Sequence, residues 1–138
     1  NKGLSKAILK TIAGFANTRG GTLFIGVDDN QDIVGIDADK KAFDVENSDK
    51  YQLRLQNIFI SEFGVEKTAQ LISSIKFITH NDKEVCVIRV VRSQSGTYVN
   101  NIDKSGTKSE KFYIRSSNQT IALKPSEENS YRKRMGLH

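Results

Sequence analysis

The sequence predicts an α+β domain, with a mixed or antiparallel sheet of hairpins packed against two main helices. Three observations lead there. An apolar stripe with helical spacing opens the chain, and later apolar runs come in pairs separated by polar turn residues. The order of elements (helix, hairpin, helix, hairpin, strands) is also not the strict alternation of strand and helix that winds a parallel sheet. At 138 residues the chain is one domain long and can bury a core without staples. Its charged fraction of 27% and apolar fraction of 37% are ordinary for a globular protein and exclude global disorder.

Taken in order, LSKAILKTIAGFAN reads as an amphipathic helix, because Leu4, Ile8, Ile12 and Phe15 share one face. Gly14 costs it some helix propensity and allows a close neighbour. Asn17, Gly20 and Gly21 then supply residues that tolerate left-handed backbone after a helix end. TLFIGV is a short strand, DDNQD a turn and IVGI a returning strand, so a first hairpin is expected here. Gly26 is too small to cover its side of that sheet. DADKKAFDVENSD is polar and is expected to be irregular or a short helix. YQLRLQNIFISEF forms a second helix ended by Gly64. LISSIKFITHNDKEVCVIRVVRS gives two strands around His80–Lys83. VCVIRVV within it has the continuous apolar run of a central strand buried on both faces, interrupted by Arg89. TYVNN is a short strand, and KFYIRSS and TIAL are strands flanking a turn at 117–119. Pro125-Ser126-Glu127-Glu128 starts a short basic helix.

Cys86, the single cysteine, lies in an apolar run. It suits a reducing cytoplasm and excludes a disulfide framework or a cysteine zinc site. No apolar run is long enough to span a membrane. The chain begins at Asn1 without an initiator Met and shows no signal peptide, so a single domain over 1–138 is expected to be a piece of a longer protein. Net charge +5 and a pI near 9.4 favour a polyanionic partner. Lys2, Lys6 and Lys10 share one face of the first helix, the ordinary pattern of a solvated face, and Arg132, Lys133 and Arg134 cluster near the end.

The segment GFANTRGGTLFIGVDDN carries the densest punctuation. A phosphate loop would place its glycines at the start of a helix; here they follow one and precede a strand, and neither GxxxxGK[ST] nor GxGxxG occurs. Asp28, Asp29, Asp32, Asp37 and Asp39 crowd the following turn, where carboxylates can hold a divalent metal or simply solvate a hairpin. Asp28 stands apart because it closes the apolar strand. His80 and His138 are too isolated for a histidine triad, and no serine lies in a GxSxG elbow. Arg19, Arg89, Arg92 and Arg115 are the candidate phosphate contacts, and strand alternation puts Tyr113 on the same face as Arg115.

These residues carry a resemblance. ILKTIAGFANTRGGTLFIGVDDNQDIVGI is similar to the signature of the Schlafen AlbA-type family: a helix ending in an AFANT-like segment, a GG corner, a strand ending in GVDD and a return through VGI. VCVIRVVRSQSGTYV resembles the strand that leads into a "PS…PVY" element, although its proline is missing around Arg92–Ser95. KFYIRSSNQTIAL resembles the closing "YYVRxGxxT" segment through Phe112, Tyr113, Ile114, Arg115 and Thr120. The resemblance implies a cytoplasmic nucleic-acid-binding domain of a bacterial transcriptional-regulator-like protein, with DNA favoured over RNA. Its alternative is a ribonuclease using Mg or Mn, in which Asp28 is the catalytic metal ligand and two glutamates lie in an upstream "ESxxxEFK" element that this sequence does not contain. A third reading is a homo-oligomerising or partner-sensing module.

Overall fold

The first helix is where the core starts. In the computed structural model, which describes residues 2–138, α1 (Lys2–Ala16) buries Ile8, Leu9, Ile12, Ala13 and Ala16 along one stripe. It packs against strands of two separate sheets. β1 (Gly21–Ile25) follows, then α2 (Asp37–Ala42), α3 (Ser48–Phe63), α4 (Val65–Leu71), β2 (Ile72–His80) and β3 (Lys83–Val90). β4 (Tyr98–Ile102), β5 (Lys108–Ser116), β6 (Gln119–Ala122) and α5 (Pro125–Met135) complete the chain. The first sheet has the order β1-β3-β2 and the second β4-β5-β6, and every pairing is antiparallel. The α+β class therefore holds, with α1 and α3 as its two main helices and the hairpins divided between two sheets.

The core unites α1 with Tyr51, Leu55 and Phe59 of α3 and with Cys86, Ile88 and Val90 of β3. Burying each such Leu, Ile or Phe contributes about 1.5–3 kcal/mol. A second cluster of Phe112, Tyr131 and Leu137 seats α5 on the other sheet. Capping follows from sequence. Asn47 Oδ1 accepts from Lys50 N at 2.9 Å to start α3. At α5, Glu127 reaches back to the Lys124 amide at 3.1 Å, and Pro125 occupies the first turn where its missing N–H costs nothing. Gly14 serves the close approach expected of it. A methyl there would stand 3.2 Å from Thr120 Cγ2 and 3.4 Å from the Ile114 backbone.

Several expectations change. TLFIGV ends as a strand at Ile25, and IVGI forms no returning strand; a lone bridge joins Val27 to Ile33. The cause is local. Gly26 and Gly35 have φ of 105° and 80°, and the amides of Val34 and Gly35 both donate to Gly26 O, which coils the segment instead of extending it. β1 pairs instead with β3, distant in sequence. β3 is central as expected, but it buries only one face fully, since on the other face Arg89 and Lys83 are exposed and Val87 is half-buried, leaving Val85 as the buried residue there. Helix α4 has no counterpart among the expected elements. Its polar sequence VEKTAQL buries just Thr68 and Leu71, too few for a readable stripe. The lysine face of α1 is not wholly solvated: Lys6 donates to Asn101 Oδ1 at 2.8 Å and Lys10 lies 5.6 Å from the Tyr113 ring centroid.

Candidate nucleic-acid interface

The corner after α1 is built around Asn17. Its backbone amide still donates to Ala13 O, so the helix continues into it, and its φ is not left-handed. What matters is its side chain, which is fully buried. Asn17 Nδ2 donates to the carbonyls of Thr97 and Tyr113, both at 2.8 Å, and Oδ1 accepts from Thr97 N at 2.8 Å. Its carbonyl accepts from Tyr131 Oη at 2.7 Å. One amide side chain thus ties α1 to the second sheet, while its backbone anchors α5.

The glycines then permit the turn. Gly20 has φ 71°, and a methyl there would lie 2.7 Å from Val90 O; at Gly21 it would lie 2.4 Å from the Phe15 ring. Gly20 N donates to Phe15 O at 2.7 Å, closing the helix. The corner so formed faces the β5–β6 turn. Thr18 Oγ1 donates to Gly14 O and accepts from Arg115 N at 2.9 Å, which fixes β5 against the helix end.

Between them lies a cleft of about 470 Å³, lined by Phe15, Thr18, Arg19, Gly20, Arg115 and the serines at 116 and 117. Arg115 is held in place there. Its Nη1 donates to Thr120 Oγ1 at 2.8 Å, its guanidinium sits 5.0 Å from the Phe15 ring centroid, and its buried Nε has no hydrogen-bond partner. Arg19 is exposed at the mouth. No carboxylate lines the cleft. Among the described residues the ion pairs join Lys40 to Asp37 and Glu84, and Lys50 to Glu46; no arginine takes part. Two guanidiniums beside three hydroxyls, without a counter-ion, form a site chemically matched to phosphate oxygens.

The other sequence candidates fall at different places. Arg92 lines a neighbouring cleft of about 340 Å³ with Gln70, Ser93, Gln94 and Ser95, and its Nη2 donates to Met135 O. Near it Lys67 donates to Ser95 Oγ at 3.1 Å and Gly96 O at 2.8 Å; burial and then the Arg132 guanidinium hold its ammonium below the usual lysine range. Lys67 carries no signal in the sequence, because α4 has no readable stripe to place it. Arg89 is exposed on the outer face of β3, between Thr22 and Ser74. Tyr113 is 6% exposed, its hydroxyl pushed up by burial, so its ring lies in the core and offers no open face.

Asp28 is exposed beyond the end of β1, and its Oδ1 accepts from the amides of Asn30 at 3.0 Å and Asp32 at 2.9 Å. It caps its own turn. Among the described residues no group of three His, Cys, Asp or Glu side chains could hold a metal ion. Asp39, on α2, is raised by burial and partly offset by the Tyr51 hydroxyl 3.4 Å away; it faces the core, away from the cleft. No described helix is long and apolar enough to cross a membrane.

Comparison with known proteins gives a family and a similar fold. The model of the family described as Schlafen, AlbA_2 matches residues 1–124. The fold is similar to the crystal structure of the DIP2311 protein from Corynebacterium diphtheriae, with a TM-score of 0.63 at 16% identity. That match covers 100% of this chain and 23% of the other, so this chain spans under a quarter of that protein's length. No curated protein sequence matches the chain.

Proposed function

The chain belongs to the Schlafen AlbA_2 family, and from that premise we propose that it is a nucleic-acid-binding domain gripping backbone phosphate in the cleft between the end of α1 and the β5–β6 turn. The observation that supports it is the pair Arg19 and Arg115 in one cleft with no carboxylate partner. Arg115 is preset by Phe15 and Thr120 and so loses little freedom on binding. Arg19 closes on the phosphate from the mouth, and the hydroxyls of Thr18, Ser116 and Ser117 line the same walls. Arg92 and Lys67 extend the positive tract along the chain's neighbouring cleft. A cytoplasmic regulatory domain is the setting this reading fits, with Cys86 kept as a buried thiol.

The test is fluorescence anisotropy at low salt with labelled duplex DNA, single-stranded DNA and transfer RNA. Arg19→Glu removes an exposed cation without a structural partner. It should weaken binding about tenfold or more, the worth of one charge-assisted hydrogen bond of about 1.5–3 kcal/mol. Absence of binding to all three nucleic acids refutes the proposal.

A further inference from the structure

The outer face of the first sheet departs from what an antiparallel sheet with one buried face should show. Such a face is usually polar and solvated. Here the register sets Phe24, Val87 and Lys76 in one row, Ile78 and Val85 in the next, and Thr22, Arg89 and Ser74 in the row on the other side. Phe24 is 52% exposed and Ile78 55%. Together with Val27 and Ile33 of the coiled segment they wall an apolar groove of about 600 Å³, within the range of about 300–1,000 Å³ usual for small-ligand sites. The groove's hydrogen-bonding side chains are Gln31 and His80.

The charge on this face is ordered. Arg89 is exposed in the row nearest the Arg19 corner and Lys76 in the row of Phe24, on the far side of β3, and neither takes part in an ion pair among the described residues. At the opposite end Asp28, Asp29 and Asp32 are exposed together with Lys83, whose Nζ donates to Ile33 O at 3.4 Å. An exposed aromatic on a sheet, beside an apolar slot with polar groups at its rim and with cations on one side, matches the parts of an unpaired nucleotide: a π-face, a polar base edge and a phosphate. A paired base inside a duplex presents no free face to stack. The three aspartates outnumber Lys83 at the turn end and repel phosphate within roughly a Debye length of 8–10 Å, so the backbone is favoured over the Arg89 end with the base directed toward the turn. Only Gly20 and Gly21 separate Arg19 from Thr22, so the phosphate cleft and this face adjoin.

We propose that this face takes an unstacked base of single-stranded nucleic acid, stacked on Phe24 in the apolar groove, with Lys76 and Arg89 on the flanking phosphates. The inference rests on the nucleic-acid reading above and names the substrate class of that site. The chain contains no tryptophan, so Phe24→Trp introduces a single reporter at the stacking position. Anisotropy is measured with one oligonucleotide as a single strand and as a duplex, on wild type, Phe24→Ala, Phe24→Trp and Arg19→Glu. Phe24→Ala should weaken single-strand binding between about fivefold and about a hundredfold and leave duplex binding unchanged. Phe24→Trp should retain single-strand affinity, and its emission should be quenched by the single strand but not by the duplex. If Phe24→Ala binds the single strand like wild type, or the tryptophan emission does not respond to saturating single strand, this inference falls. The phosphate cleft then survives if Arg19→Glu still loses affinity. A wild-type chain that binds neither form overturns this inference, and the phosphate-cleft proposal falls with it if transfer RNA is not bound either. Tryptophan emission that shifts with protein concentration alone assigns the face to a second copy of the chain and also overturns the inference.

Discussion

Replacing Asn17 by alanine tests the joint on which the whole corner depends. The substitution removes the amide that bridges Thr97 N, Thr97 O and Tyr113 O, three bonds of 2.8 Å in a fully buried site. Water cannot reach these groups without opening the corner, so each loses a partner at about 1–3 kcal/mol, less whatever local relaxation recovers. A total of about 3–5 kcal/mol is expected, a large part of the roughly 5–15 kcal/mol that holds a domain together. A chain of this size unfolds with an entropy near ~0.3 kcal/mol per kelvin, so the midpoint should fall by about 10–17 °C. Thermal unfolding followed by circular dichroism measures it. Asn17→Asp is the companion: it keeps the acceptor for Thr97 N but turns an oxygen toward two carbonyls, and should be at least as destabilising. A midpoint shift below about 3 °C for Asn17→Ala, equivalent to under about 1 kcal/mol, would show that the side chain is not the joint.

Four further expectations can be measured on the same material. Gly21→Ala should destabilise the fold by about 1–3 kcal/mol, read by urea unfolding, because the added methyl meets the Phe15 ring at 2.4 Å. The Cys86 thiol, pushed up to about 12 by burial and then by the Asp39 and Glu84 carboxylates, should resist a thiol-specific disulfide reagent at about pH 8 until denaturant is added. Glu84 is held below its ordinary 4.5 by hydrogen bonds from Lys40 and Ser48. Its contribution to stability is therefore complete above the unfolded value and is lost as pH falls through the lower folded value. Urea midpoints in acid should decline less steeply for Lys40→Met than for wild type. Finally, log affinity for duplex DNA should fall linearly with log salt, and Arg19→Glu should reduce that slope by about 0.9 for each phosphate left without its cation; an unchanged slope would place Arg19 off the backbone.

The stripe of α1, the hairpin of β2 and β3, the β5–β6 turn and the start of α5 are legible because each depends on neighbours a few residues away, whereas the Asn47 cap starts α3 before Tyr51, ahead of the expected helix. Ile8 and Ile12 declare a helix face whatever that face meets. The GG corner is legible for the same reason, since the backbone at Gly20 needs a left-handed φ regardless of its surroundings. The partner of β1 is not legible. An apolar strand has the same alternation whether it pairs with IVGI or with β3, and the glycines at 26 and 35 settle the matter by coiling the nearer candidate. Asn17 shows the limit at one residue: its place at the helix end follows from its neighbours, but its bonds reach Thr97 and Tyr113, far along the chain. The site divides in the same way. Sequence alone determined a basic α+β domain, its family signature and its arginines. Only the tertiary structure decided that Arg19 and Arg115 share a cleft free of carboxylates, that Tyr113 is buried and that Phe24 is open, because burial and charge pairing depend on which distant segments pack together.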